Sequence, residues 1–166
     1  LLAMARLDAA PATGSVEPVD LLELAQQVVA EFAPIADDRD LDLGLLPSTA
    51  VTVTGDPGEL RTLLGNLVDN ALRYTPSGGR VDVQVKQAEN EAVLTVSDTG
   101  PGIPAAERGR VFDRFYRGAD TATPGSGLGL AIVQRIADRH RASVRLKDAE
   151  SGRGLRVIVQ WPVAAV

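Results

Sequence analysis

The sequence predicts an α+β fold, a two-layer sandwich in which three main helices lie on one mixed, mostly antiparallel sheet. Three segments carry apolar residues at helical spacing, and about six shorter segments alternate apolar with polar residues, as half-buried strands do. Helices and strands follow one another in mixed order. This order favours a two-layer sandwich over an alternating, parallel α/β sheet.

The composition suits one ordinary soluble domain. The chain has 166 residues, 45% of them hydrophobic, with a formal net charge of -5, one histidine and no cysteine. The acidic balance argues against a nucleic-acid surface, and the lack of cysteine excludes a disulfide framework and thiolate chemistry. A zinc site is disfavoured with a single histidine. No apolar run approaches the roughly 20 residues that a bilayer span requires.

The first 18 residues are predicted to precede the main domain. The opening LLAMARL is interpreted as the last turns of a helix, and residues 8–18 are rich in alanine, proline, glycine and serine, as linkers are. We therefore expect a helix end and linker over residues 1–18 and one domain over residues 19–166.

A capping signal begins the first helix of that domain. Asp20 and Glu23 have the spacing of a capping box, in which each side chain satisfies a free backbone N–H of the first turn. The pattern predicts a helix over residues 21–32, ended by Pro34.

Two short strands and a second helix come next. Alternating apolar residues predict strands over residues 41–45 and 51–53. Asp56 then stands at a helix N-cap, with Pro57 at the first helical position, where its missing N–H has no cost. This helix is expected to end near Tyr74.

A hairpin and a long connection follow the second helix. Residues 81–85 and 93–96 predict paired strands with a turn at Glu89 and Asn90, and the second strand leads to Asp98. Residues 99–126 show no sustained period. Such a length is unusual inside a compact domain and indicates a binding loop or lid.

A third helix, over residues 128–139, and strands over residues 143–146 and 155–161 complete the domain. His140 stands at the end of this helix, where a histidine commonly meets the last carbonyls. We assign it a structural role because no neighbouring residue has the character of a general-base partner.

Asn66, Asn70 and Arg73 lie on one flank of the second helix, beside its apolar stripe. They are surface side chains in one interpretation. In the other, a carboxamide oxygen binds Mg²⁺ that phosphates and water also ligate, and the arginine binds a phosphate oxygen. The helix alone leaves both interpretations open.

Two glycine clusters flank the long connection. SDTGPGIP, residues 97–104, bends the chain out of a strand and is either a turn alone or a ligand site at Asp98. Gly125, Gly127 and Gly129 lead into the third helix, and such glycines with a helix N-terminus suit a phosphate. The cluster lacks the Gly-Lys-Ser/Thr of a Walker loop and the spacing of a Rossmann fingerprint.

The segment between the glycine clusters combines aromatic and basic residues. Phe112 and Phe115 predict a small apolar cluster under the loop. The arginines suit a lid over a polyphosphate, although each taken singly fits a solvated surface position. They are Arg108, Arg110, Arg114 and Arg117.

Together these segments resemble the ATP-binding catalytic domain of bacterial sensor histidine kinases, in the superfamily of gyrase, heat-shock chaperone and mismatch-repair ATPases. Residues 66–74 resemble its N box and residues 98–103 its first glycine box. Residues 111–116 are similar to its F box and residues 125–130 to its second glycine box. The order and spacing of the four motifs agree over about residues 19–162.

The resemblance implies a Bergerat-type fold that holds Mg²⁺ and ATP between the helices and the lid. Asp98 would accept a hydrogen bond from the adenine amino group, and Asn70 would hold the metal ion. Catalytic roles fall to Asn66, Asn70 and Arg73. The implied nucleotide contacts are Asn66, Asn70, Arg73, Tyr74, Asp98, Gly100, Gly102, Ile103, Arg117, Gly125, Gly127, Leu128 and Gly129.

Position 66 bears on the reaction. The ATP hydrolases of the superfamily carry a glutamate four residues before the magnesium asparagine, whereas this chain has Asn66. Without that carboxylate, water is a poor nucleophile, and the resemblance implies transfer of the γ-phosphoryl to a histidine on a separate domain. A hydrolase of the same fold and a non-catalytic, nucleotide-dependent interaction module remain as alternatives.

The resemblance also implies partners and a location. Residues 1–9 would be the end of a helix from the chain's own dimerisation and phosphoacceptor domain, and a response regulator would receive the phosphoryl group. We expect this piece to be monomeric, the full-length protein to be a homodimer, and the domain to be the cytoplasmic part of an inner-membrane sensor. The resemblance extends to His140, which Arg141 and Ala142 follow here in place of the family's frequent glycines.

Overall fold

The structure is a computed structural model that describes residues 15–108, 129–150 and 153–163. Its main helices are α1 (Leu21–Asp38), α2 (Pro57–Tyr74) and α3 (Gly129–Arg139), and a short 3-10 helix spans Ala105–Glu107. Its strands are β1 (Glu17–Asp20), β2 (Asp42–Leu45), β3 (Thr52–Gly55), β4 (Arg80–Ala88), β5 (Glu91–Asp98), β6 (Ser143–Asp148) and β7 (Leu155–Pro162).

The larger sheet has five strands in the order β2-β4-β5-β7-β6. Strands β2 and β4 are parallel, and the other neighbours are antiparallel. Strands β1 and β3 form a separate antiparallel pair. The predicted α+β sandwich with a mixed, mostly antiparallel sheet is therefore confirmed. Because β5 is the central strand, the residue at its end has neighbours on both sides.

The hydrophobic core joins the helices to one face of the larger sheet. On α2 it contains the whole predicted apolar stripe, and removal of each leucine side chain from water contributes about 2 kcal/mol. This burial fixes the rotation of α2 and leaves its polar flank at the core's edge. The buried residues of α2 are Leu60, Leu63, Leu64, Leu67, Val68, Ala71 and Leu72.

Helix α1 does not end before Pro34, so that prediction is wrong. The helix continues through the proline to Asp38. A proline inside a helix removes one N–H bond to the preceding turn, and its ring crowds the carbonyl four residues earlier. The next turn compensates, because Ala36 is 2% exposed in the core and the N–H of Arg39 bonds to the carbonyls of Ile35 and Ala36.

Strand β1 was not expected from the sequence. It pairs Val19 with Val53 and begins at Glu17, inside the segment predicted as a linker. Only Val19 of its four residues is buried, so no alternation marks it. Residues 1–14 and 109–128 lie outside the described residues, and the division of the chain at residue 18 stays a prediction.

Asp20 and Asp56 both cap a helix as predicted, and at α1 the observed bond is the Asp20 half of the predicted capping box. The Asp20 side chain accepts the N–H of Glu23 at 3.1 Å. At the start of α2, Asp56 accepts the N–H groups of Gly58 at 2.9 Å and Glu59 at 3.2 Å. In the described part of the chain, no helix is long and apolar enough to cross a membrane.

Candidate functional site

Asp98 ends the central strand β5 on its helix-facing side and is only 8% exposed. Its Oδ1 accepts two backbone N–H groups, from Gly100 at 2.9 Å and from Leu155 at 3.2 Å. Burial is the largest influence on this carboxyl and raises its pKa, while the two hydrogen bonds act in the opposite direction. Its Oδ2 receives no hydrogen bond from the described residues and remains available to a donor on a ligand.

The first glycine box packs tightly against other backbone. A Cβ atom on Gly100 would lie 2.7 Å from the carbonyl oxygen of Tyr74. Gly102 has φ +77°, and its Cβ would lie 3.1 Å from the carbonyl oxygen of Gly154. These contacts give both glycines a packing requirement that exists without a ligand.

Two residues near the start of β7 complete the surroundings of Asp98, and sequence reasoning did not find them. Gly154 has φ +103°, and a Cβ there would lie 1.9 Å from the carbonyl oxygen of Asp98. The next residue, Leu155, donates to the carboxylate. The available signal was the SGRG turn between two predicted strands, whose last glycine stands directly before β7.

Asn66 and Arg73 lie half-buried on the flank of α2, and both are bonded within their own helix. Asn66 Nδ2 donates to the carbonyl of Thr62 at 2.8 Å. Arg73 Nε donates to Asp69 Oδ2 at 2.8 Å, one turn before it. These bonds use one donor of each side chain, and the nucleotide contacts implied for the two residues stay predictions.

Asn70 lies against the first residue of α3. A Cβ on Gly129 would be 2.7 Å from Asn70 Nδ2 and 2.8 Å from its Oδ1. The structure thus brings the N box and the last residue of the second glycine cluster together, as the nucleotide-site interpretation requires. The backbone N–H groups at the start of α3 are also a favourable place for an anion.

The C-terminal half of α2 therefore contacts both sides of the candidate site. Tyr74 meets the first glycine box at Gly100, and Asn70 meets α3 at Gly129. An open cleft of about 480 Å³ adjoins this half of the helix, and Asp98, Asn66 and Asn70 are not among its lining residues. It is lined by residues 38–40, residues 73–77 and Pro101.

Other predicted site residues fall outside the described part of the chain. These are Arg117, Gly125, Gly127 and Leu128, and their roles stay predictions. Arg108 is described, and its guanidinium binds the carbonyl of Ile103 and the carboxylate of Asp148. Its predicted place among the arginines of a lid over a polyphosphate stays a prediction.

His140 has the structural role predicted for it. Its Nε2 accepts the N–H of Asp56 at 3.1 Å, and its Nδ1 lies 2.8 Å from the carbonyl oxygen of Ile136. A carbonyl only accepts and an N–H only donates, so the hydrogen is assigned to Nδ1. Arg141 follows with φ +56°, adopting the left-handed conformation that usually favours glycine.

Comparison with protein families identifies the chain. The family described as histidine kinase-, DNA gyrase B-, and HSP90-like ATPase matches residues 55–165. The chain belongs to this ATPase family. The match covers the N box, both glycine boxes and the strands that carry them, which confirms the resemblance seen in the motifs.

The curated relatives of this ATPase-family chain are named sensor kinases. Sensor protein kinase PmrB of Pseudomonas aeruginosa is 44% identical over 163 residues, which are 98% of this chain and 34% of that protein. The histidine-protein kinase/phosphatase MprB of Mycobacterium sp. (strain KMS) is 41% identical over 138 residues, 82% of this chain and 26% of that protein. The chain thus spans about a third or less of these relatives.

Solved structures agree with this family assignment. Mycobacterial sensor histidine kinase MprB has a TM-score of 0.78 and 34% identity, over 92% of this chain and 100% of that one. Full-length ShkA in complex with AMPPNP has a TM-score of 0.82 and 32% identity, over 99% of this chain and 35% of that one. Both solved structures resemble this chain in sequence as well as in fold.

Proposed function

We propose that this chain is the catalytic domain of a two-component sensor histidine kinase, which binds Mg²⁺ and ATP and transfers the γ-phosphoryl group to a histidine on a separate dimerisation domain. The relatives named sensor kinases support this proposal. The likeness to ShkA, whose structure holds the ATP analogue AMPPNP, supports adenine nucleotide binding.

The observation that carries the proposal is the hydrogen bonding of Asp98. Two backbone N–H groups occupy Oδ1 and fix the plane of the carboxylate, while Oδ2 has no donor among the described residues. An adenine amino group supplies one N–H donor to such an acceptor. Gly100 leaves no side chain beside this carboxylate, because a Cβ there would lie 3.2 Å from Asp98 Oδ1.

The residues of α2 fit the polyphosphate and the metal ion. Asn70 offers a carboxamide oxygen beside the N-terminus of α3, and Mg²⁺ bound to phosphates and water commonly takes one or two such protein ligands. The bound ion would neutralise phosphate charge. Arg73 and Tyr74 stand on the same half of the helix, and Arg73 carries the positive charge suited to a phosphate oxygen.

Position 66 favours phosphoryl transfer over hydrolysis. Asn66 carries no carboxylate, and its amide donates to the carbonyl of Thr62, so it has no means to accept a proton from water. This contrast disfavours the hydrolase alternative. Positioning and charge neutralisation are then the contributions left to the protein, as in other phosphoryl transfers.

The acceptor histidine must come from outside this domain. His140, the single histidine of the chain, has both ring nitrogens engaged, with Asp56 and Ile136. We assign the acceptor to the dimerisation domain of the same full-length protein, a homodimer in this proposal. A response regulator would then receive the phosphoryl group, and the domain would work on the cytoplasmic side of a membrane sensor.

The proposal is tested by combining the 166-residue chain with a phosphoacceptor domain, Mg²⁺ and γ-labelled ATP. We expect acid-labile phosphohistidine on the added domain and no label on the chain alone. Label on His140 would contradict the assignment of the acceptor. Steady phosphate release without transfer would instead establish the hydrolase alternative, and ADP binding without either reaction would establish the non-catalytic module.

A further inference from the structure

The segment Pro101–Ile103 of the first glycine box has few hydrogen bonds of its own. Thr99, two residues before this segment, is anchored to β4, because its N–H donates to the carbonyl of Arg80 at 3.1 Å. Within the described residues, the hydrogen bond on Pro101–Ile103 comes from Arg108, whose Nε lies 3.0 Å from the carbonyl oxygen of Ile103. A side chain therefore fixes the far end of the glycine box.

The same guanidinium also binds the end of β6. Arg108 also donates to Asp148, the last residue of β6. Next to Asp148, the N–H of Ala149 donates to the carbonyl of Gly154 at 3.2 Å. That carbonyl faces Gly102, so Arg108 joins the two backbone segments that enclose the buried carboxylate.

Geometry and burial suit this bridge. The Arg108 side chain is 23% exposed, so its hydrogen bond to Ile103 is sheltered, whereas Asp148 is 75% exposed. A guanidinium presents several N–H donors in a fixed plane and can serve a carbonyl and a carboxylate at once. A lysine carries its three N–H donors on one nitrogen and lacks this planar, fixed arrangement.

We propose that Arg108 is a positioning residue for the base site, which sets the spacing between the glycine box and the turn before β7. It acts through the Ile103 carbonyl and the Gly154 turn, and it thereby determines how well Asp98 selects adenine. This assignment rests on the proposed function, in which Asp98 binds the adenine amino group. Arg108 itself does not contact the nucleotide.

Calorimetric titration of the 166-residue chain with ADP and with inosine diphosphate, both with Mg²⁺, tests the assignment. Inosine diphosphate has a carbonyl where adenine has its amino group. Arg108→Met keeps the apolar stem and removes both bonds, so we expect ADP to bind roughly tenfold more weakly and the preference for ADP to fall. The matched control is Arg61→Met, which removes an arginine contact with Glu31 between α1 and α2 and should change neither quantity.

Two further variants refine the test. Asp148→Asn should weaken ADP binding less than Arg108→Met does. The double variant should bind ADP as Arg108→Met does, because Asp148 acts through Arg108. Should Arg108→Met not fold, Arg108→Lys replaces it, with an intermediate loss of ADP preference.

Two results would overturn the assignment. One is wild-type affinity and preference in Arg108→Met. The other is an equal loss of affinity for both nucleotides together with a lower melting temperature, which would reduce Arg108 to general support of the fold. Failure of the unchanged chain to bind ADP would remove the proposed function itself and this assignment with it.

Discussion

The two sides of the candidate site are built differently. On the base side, Asp98 is buried and held by backbone N–H groups of Gly100 and Leu155. On the phosphate side, Asn66 and Arg73 are half-buried side chains that each form a hydrogen bond within α2. The base side is formed mainly by backbone, from the glycine box and the start of β7. The phosphate side depends on side chains, which change rotamer more readily than backbone moves.

The largest expected effect comes from a glycine on the base side. Gly154→Ala would place a Cβ 1.9 Å from the carbonyl oxygen of Asp98, at a residue with φ +103°. Because a backbone carbonyl cannot rotate away as the end of a side chain can, we expect the free energy of unfolding to fall by about 3 kcal/mol. We also expect ADP binding to be lost. Urea unfolding measures the first quantity and calorimetry the second. Unchanged stability would contradict the close approach.

The second prediction concerns recognition on the base side. Asp98→Asn replaces the free carboxylate oxygen with a group that can present a donor to the adenine amino group. We expect ADP affinity to fall about a hundredfold, since a hydrogen bond to a charged acceptor is lost. Asp82→Asn, which alters a carboxylate paired with Arg80 on β4, is the matched control. Unchanged ADP affinity in calorimetry would remove Asp98 from its proposed role.

A smaller effect is expected from a glycine on the phosphate side. Gly129→Ala would place a Cβ 2.7 Å from Asn70 Nδ2, the far end of a side chain that can rotate. The fold should keep its stability, because alanine favours a helix more than glycine does. Displacement of Asn70 should weaken binding of Mg²⁺ and ATP by roughly tenfold, with ADP in EDTA less affected. A lower free energy of unfolding with unchanged binding of Mg²⁺ and ATP would contradict this prediction and the contrast with Gly154.

The sequence predicted the parts of this site that lie within one helix or one strand. Helical spacing placed Asn66 and Asn70 on one flank, and the alternation of β5 placed Asp98 at a strand end. The contacts of Gly154 and Leu155 depend on the pairing of β5 with β7, across 57 residues of chain for Leu155, and no local pattern contains that information. Strand β1 was missed for a related reason. Val19 is its single buried residue, and the pairing with β3 that buries it is not visible in the local sequence.

The smallest effect concerns the ionisation of Asp98. Burial raises its pKa in the folded protein, so this group favours folding below its unfolded pKa of about 3.9 and that contribution is lost as the pH rises through the folded value. At neutral pH the buried charge therefore costs stability. We expect Asp98→Asn without nucleotide to unfold at a higher urea concentration than the unchanged chain at pH 7.5, and this advantage to disappear near pH 4. An equal gain in stability at pH 7.5 and near pH 4 would show that the gain comes from packing and not from the charge. The expected pattern would instead show that the charge of Asp98, which serves the ligand, lowers the stability of the fold.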